Sequence, residues 1–136
     1  MEINEYQKKA SRTLKRMDNE QTDLEHMFYG EISEVGEAVS MLKAHYVYGK
    51  EFDMTNMIEE LGDIAWFWAG ACTILGLDAS DVLEKNIDKL RVRYPEKFTE
   101  HHALNRDLLH ERKILEVREK ELPDGRVILE SNEPLV

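Results

Sequence analysis

One cysteine, Cys72, stands in 136 residues. An internal disulfide and any multi-cysteine zinc or iron–sulfur site are excluded, and a reducing cytoplasm is the natural compartment. Proline is almost as scarce, at Pro95, Pro123 and Pro134. Nothing before residue 95 is interrupted by it, which favours helices. Long apolar runs are missing. The longest uncharged stretch, Ile64 to Leu77, falls short of the ~20 residues that a bilayer span needs. Met1-Glu2-Ile3-Asn4-Glu5 carries no basic and apolar segment of the kind that directs secretion. Basic charge is in deficit, 18 Lys plus Arg against 28 acids, for a net charge of −10. That argues against a chain whose main task is to grip nucleic acid or an anionic membrane. Phosphate-bearing small molecules stay open, because a bound metal inverts the local field.

What is present is helical periodicity. A first helix is expected from about Asn4 to Met17, followed by a polar stretch, Asp18 to Asp23, with plausible caps. A second runs from about Asp23 to Tyr46, where Leu24, Met27, Phe28, Ile32, Val35, Val39 and Leu42 keep three-four spacing. Tyr48-Gly49-Lys50 is its stop signal. A third helix spans about Asp53 to Leu75, with Asp53, Thr55 and Asn56 as candidate caps and Gly76 beyond its end. Its second half, Ile64 to Cys72, is apolar all round and must be covered on every side. This predicts an oligomer with the Trp66 to Cys72 segment near the interface. A fourth helix starts at Asp78 or Ser80 and ends near Arg93, before Tyr94-Pro95. Thr99 to about Arg118 reads as a charged helix. Leu122-Pro123-Asp124-Gly125-Arg126 then signals a turn before Val127-Ile128-Leu129, which fits either a small hairpin or a frayed tail.

Two short segments resemble each other, Glu34-Val35-Gly36-Glu37 and Glu60-Leu61-Gly62-Asp63. In each, two acids three residues apart share one helix face. Each encloses a helical glycine, which costs about 1 kcal/mol relative to alanine. Such a glycine usually marks close backbone approach, so two helices are expected to cross tightly beside the acids. Acidic pairs are common in so acidic a chain, and Glu5, Glu25, Asp81 and Glu84 read as solvated face. Glu34, Glu37, Glu60 and Asp63 differ because they sit among apolar neighbours. Four like charges on adjoining faces would repel, and some would keep a proton unless a cation lay between them. Oxygen ligands without cysteine or histidine suit Mg²⁺ or Mn²⁺. Di-iron bundles use Glu-x-x-His pairs instead. Magnesium held by carboxylates completes its shell with water and substrate phosphates, which points to a phosphorylated ligand. On the fourth helix Asn86, Lys89 and Arg93 lie near one face. They could hold phosphates, or the two cations could simply complement the helix C-terminus.

The paired acid motif, with residues 38 to 59 between its halves, resembles that of the MazG-like all-α nucleoside triphosphate pyrophosphohydrolases. The wider phrases Gly30-Glu31-Ile32-Ser33-Glu34-Val35-Gly36-Glu37 and Glu59-Glu60-Leu61-Gly62-Asp63-Ile64-Ala65-Trp66 fit too. Asn86-x-x-Lys89-x-x-x-Arg93-Tyr94-Pro95 with Phe98, and the opening Tyr6-Gln7 with Arg12-Thr13, are similar to short, phage-type members. The resemblance implies an all-α fold with a four-helix core, a catalytic domain over residues 1–110 and a charged C-terminal extension over 111–136. It also implies homodimers or homotetramers in the cytoplasm, the host's if the chain is phage-encoded. Its activity would be Mg²⁺-dependent cleavage (Mn²⁺ a substitute) between the α and β phosphates of a nucleoside triphosphate, giving the monophosphate and pyrophosphate. Glu34, Glu37, Glu60 and Asp63 would hold metal, and Asn86, Lys89 and Arg93 would contact phosphates. Glu31 is open to an outer-ligand role, to a role on the water, or to a surface role.

For the base, Gln7, Arg12 and His26 are the candidates, with Phe28, Tyr29 and Trp66 beside them. Trp66 and Trp68 read better as packing. Within this fold the substrate could equally be dUTP, dCTP, a damaged nucleotide or an alarmone. A reading of another class is a helical oligomeric protein that binds a nucleotide–metal complex without turnover.

Overall fold

The computed structural model describes residues 1–121, 123, 125 and 127–131, with 117–121 and 127–131 described through their backbone. Among these residues there are six α-helices: α1 (Ile3–Ala10), α2 (Glu20–Tyr46), α3 (Met54–Ile74), α4 (Ala79–Arg93), α5 (Glu100–Leu104) and α6 (Leu108–Leu115). The all-α class expected from the sequence holds for the body of the chain. A two-stranded antiparallel hairpin follows it, β1 (Val117–Glu121) with β2 (Val127–Ser131), in a register that sets Val117 opposite Ser131 and Glu121 opposite Val127. Leu122, Asp124 and Arg126 of the expected turn lie outside the described residues; Gly125 takes a positive φ of 82°. The chain divides into two compact units, Met1–Leu75 and Gly76–Val136.

In the first unit α2 and α3 form an antiparallel pair, Met27 meeting Gly70 and Gly30 meeting Phe67. The core is Met27, Ala71 and Ile74, flanked by Leu14, Leu24, Trp66 and Phe67. The caps follow local chemistry. The Asn19 side chain accepts from the Thr22 N–H, so α2 begins at Glu20 rather than Asp23. The Asp53 side chain accepts from the Asn56 N–H and starts α3. After α2, Gly49 at φ 65° lets the chain turn while its N–H bonds the His45 carbonyl.

The first helix is shorter than expected. It stops at Ala10 and passes into a 3₁₀ turn, Ser11–Thr13. Residues beyond it leave helical geometry because Asp23, buried on α2, draws them in. Its carboxylate accepts from the Met17 N–H at 2.5 Å and from Arg16 Nε at 2.7 Å. The apolar Trp66 to Cys72 segment is half-buried at Trp66, Phe67 and Trp68 and buried beyond them. Ala69, Gly70, Ala71 and Cys72 are buried within the chain itself. Trp66 is tied down by its indole N–H donating to Thr13 Oγ1 at 3.0 Å. The short α1 and the 3₁₀ turn pack on α3 and supply the cover.

The glycine reading is likewise corrected. Gly36 and Gly62 face open space, and the tight approaches are at Gly30, where a Cβ would overlap the Phe67 ring, and at Gly70, against Met27 Sδ. The large apolar and aromatic residues of α2 that stay exposed are Phe28, Tyr29, Ile32, Val35, Val39, Leu42 and Tyr46.

In the second unit α4 is capped by Asp78, whose side chain accepts from the Ser80 N–H. The expected single helix over 99–118 is two. Thr99 caps α5, Asn105 turns its amide back to the His101 carbonyl, and Asp107 caps α6, so the polar residues between them end one helix and start the next. Lys85 Nζ donates to the Ile114 and Glu116 carbonyls at 3.0 and 2.9 Å, where α6 leaves backbone acceptors unpaired.

Candidate active site

The two acidic motifs fall on facing stretches of α2 and α3. Carboxylate oxygens of Glu34, Glu37 and Glu60 lie within 4.8 Å of one another. Glu60 is buried at 3% exposure, Glu34 is half-buried and Glu37 is exposed, so the cluster opens outward from a buried base. Burial pushes the Glu34 carboxyl above the usual carboxylate range. Its hydrogen bond with Glu60 and the charges of Glu37 and Asp63 act the same way. Asp63 is exposed and acts on this group through its field. The Tyr6 hydroxyl of α1 donates to the Gly62 carbonyl at 3.4 Å. Burial, then the charge of Asp63, raises this phenol, which therefore stays protonated at neutral pH.

All the donors are hard oxygens and no histidine or cysteine is among them. Such a set fits a divalent cation of the Mg²⁺ or Mn²⁺ type. Among the described residues the other buried acids are treated differently. Asp23 is paired with Arg16, and Glu111 with Arg93 and Arg106. Among the described residues Glu60 has no basic partner, only other acids and the Asn56 amide.

In the second unit Arg93 and Arg106 each turn Nε and Nη2 onto the buried Glu111 carboxylate, at 2.6 to 3.2 Å. These bonds hold Glu111 well below the usual carboxylate range. Lys89 is half-buried and lines a cavity of about 440 Å³ together with Arg106, Glu111 and Arg112. Asn86 is exposed. Of the three side chains expected to contact phosphates, Arg93 has thus committed one edge of its guanidinium within the fold.

Compared with known protein families, residues 19–98 match the MazG nucleotide pyrophosphohydrolase domain, more than half of the chain. The chain belongs to this family. It is therefore a nucleotide pyrophosphohydrolase by family, a hydrolase acting on phosphorus acid anhydrides. No curated protein and no solved structure shows significant similarity to it. The matched region of this MazG domain contains both acidic motifs and α4, but neither α1 nor α6.

The residues considered for the base are dispersed in role. Gln7 Nε2 donates to Thr73 Oγ1 at 3.3 Å and ties α1 to α3. Arg12 is exposed on the 3₁₀ turn. His26 is half-buried, edge-on to Phe67 at 6.1 Å, and its Nδ1 has no hydrogen-bond partner among the described residues. Two residues named in the sequence for other reasons, Tyr6 in the opening motif and Asn56 as a candidate cap, were not placed beside the acids of the MazG site. For Tyr6 no local signal gave that placement, since its approach to Gly62 spans 56 positions of sequence. Asn56 did have one: it stands four residues before Glu60 on the same helix face.

Proposed function

We propose that the chain hydrolyses nucleoside triphosphates between the α and β phosphates, releasing a nucleoside monophosphate and pyrophosphate. The observation that carries this reading is the meeting of three carboxylates from two separated motifs within 4.8 Å, one of them buried without a basic partner. Like charges brought that close need a cation or a proton to offset them. Glu34, Glu37 and Glu60, with Asp63 adding its charge, would hold Mg²⁺ or Mn²⁺. A cation held there would supply Lewis-acid chemistry to the triphosphate, to the attacking water and to the departing pyrophosphate.

The protein's own part is arrangement. The α2–α3 pair sets the acids on one rigid scaffold. Tyr6, kept neutral, fixes the backbone at Gly62, next to Asp63. Asn86, Lys89 and Arg93 would meet the phosphates. Residues 1–110 serve as the catalytic helical domain and 111–136 as an extension.

The same reading includes a homodimer or homotetramer. Phe28, Ile32, Val35, Val39, Leu42 and Tyr46 alternate four-three along α2 and are all exposed, Ile32 at 69%. Met54, Ile58 and Leu61 continue an exposed apolar surface on α3. A stripe of this spacing is a coiled-coil-like seam that another helix covers, and a second copy brings the same seam. Light scattering should report a dimer or larger; a monomer at micromolar concentration contradicts this part.

The activity is tested with a panel of ribo- and deoxynucleoside triphosphates plus Mg²⁺, followed by phosphorus NMR. Monophosphate plus pyrophosphate is expected. Glu60→Gln and Asp63→Asn should each abolish it with helicity intact. Diphosphate plus orthophosphate, or full activity in either variant, would overturn the reading.

A further inference from the structure

We propose that Asn56 is a positioning residue for the acid cluster: its side-chain amide holds the Glu60 carboxylate oriented for a divalent cation. This inference rests on the metal reading above. Asn56 Nδ2 donates to Glu60 Oε1 at 2.9 Å. Glu60 is the most buried of the four motif acids, and a buried carboxylate requires donors. The donor is itself anchored, because the Asn56 N–H bonds the Asp53 side chain at 3.0 Å in the first turn of α3. With Oε1 engaged, rotation of the Glu60 carboxylate is restricted, so the group would be presented in one orientation to a cation shared with Glu34 and Glu37.

The chemistry of the donor is the second strand of the argument. Where this chain buries an acid for structure, it pairs it with guanidinium: Arg16 on Asp23, Arg93 and Arg106 on Glu111. At Glu60 the donor is a neutral amide. An amide stabilises the ionised carboxylate by hydrogen bonding while leaving its charge for another partner. A lysine or arginine there would cancel that charge and compete with the cation.

The test is titration of the metal-free full-length chain with Mn²⁺, followed by electron paramagnetic resonance, for wild type, Asn56→Ala, Asn56→Leu and Glu60→Gln. Circular dichroism checks that each is folded. Both Asn56 variants are expected to weaken Mn²⁺ about 10- to 100-fold, the range for loss of a group that orients a metal ligand. Excess Mn²⁺ should restore turnover to Asn56→Ala but not to Glu60→Gln. A merely structural asparagine would lower the melting temperature and leave the affinity of the folded protein unchanged. Unchanged Mn²⁺ affinity in a folded Asn56 variant, with Glu60→Gln weakened, overturns this inference and spares the metal reading. Unchanged affinity in Glu60→Gln overturns both.

Discussion

Glu37→Gln should make the metal-free protein more stable and deprive it of its response to metal. Glu37 lies within 4.8 Å of both Glu34 and Glu60. At that separation two unit charges repel by about 3.5 kcal/mol at an effective dielectric of 20 and about 0.9 kcal/mol in water. Glu37 is exposed, so the water limit is the better guide, about 1 kcal/mol per neighbour. Glu34 has a raised pKa. Where Glu34 keeps its proton, only Glu60 repels Glu37 and the gain is about 1 kcal/mol; where Glu34 is ionised, it is about 2. Each kcal/mol corresponds to about 3–6 °C in Tm for a domain of this size. The assay is thermal unfolding after chelation, with and without added Mg²⁺. Wild type should gain about 2.7 kcal/mol when Mg²⁺ is a hundredfold above its Kd, and Glu37→Gln should gain little. A metal-free variant less stable than wild type would refute the repulsion argument. An undiminished Mg²⁺ shift would remove Glu37 from the ligand set.

Gly30→Ala should destabilise the α2–α3 pair by about 1–3 kcal/mol, because a Cβ there overlaps the Phe67 ring and overpacking costs of that order follow; chemical denaturation measures it. Gly36→Ala should instead stabilise the isolated chain by about 0.5–1 kcal/mol, since its Cβ meets open space and alanine is the better helix former; a clear loss, removed by dilution to monomer, would place a second copy against Gly36. Acid should weaken the second unit through Glu111. Its folded pKa is depressed by Arg93 and Arg106, so its contribution is complete above the unfolded value near pH 4.5 and is lost as pH falls below that toward the folded value. Glu111→Gln should flatten that part of the pH–stability curve, and an unchanged curve would show that the ion triad is not formed in solution. Asp53→Ala should cost about 1 kcal/mol as a lost helix cap; it should also weaken Mn²⁺ if the cap steadies Asn56, which the same titration reads.

The helix positions and the acid motifs were legible because they rest on local rules. Caps at Asp53 and Asp78 and the stop at Gly49 act within one turn, and the structure places α3 and α4 where those signals put them. What misled is non-local. Nothing near residue 14 announces that Asp23 will bond the Met17 N–H and end helical geometry there. The glycines inside the acid motifs looked like crossing points, whereas the contacts are one helical turn or more away, at Gly30 and Gly70. A helical glycine reports a small side chain, and only the partner helix decides which glycine meets it.

The three-four spacing of α2 conceals two faces, and their separation bears on the function. One face carries Asp23, Met27, Gly30 and Glu34 toward the rest of its unit, so it mixes charge with packing; the other carries Phe28, Ile32, Val35, Val39 and Leu42 into solvent. A helix built for a lone monomer would do the reverse, since burying carboxylates and exposing branched apolar residues are both unfavourable. Each expense has its own compensation in the proposed assembly. A cation answers the inward acids, and a second copy covers the outward seam. The two are separable by experiment: Leu42→Gln with Tyr46→Gln on the seam, five and nine residues beyond Glu37, should dissociate the oligomer and leave Mn²⁺ binding at the acids within about threefold of wild type, because additivity holds between sites more than about 7–10 Å apart without shared partners. Loss of Mn²⁺ binding on dissociation would mean instead that the acid cluster depends on the neighbouring copy.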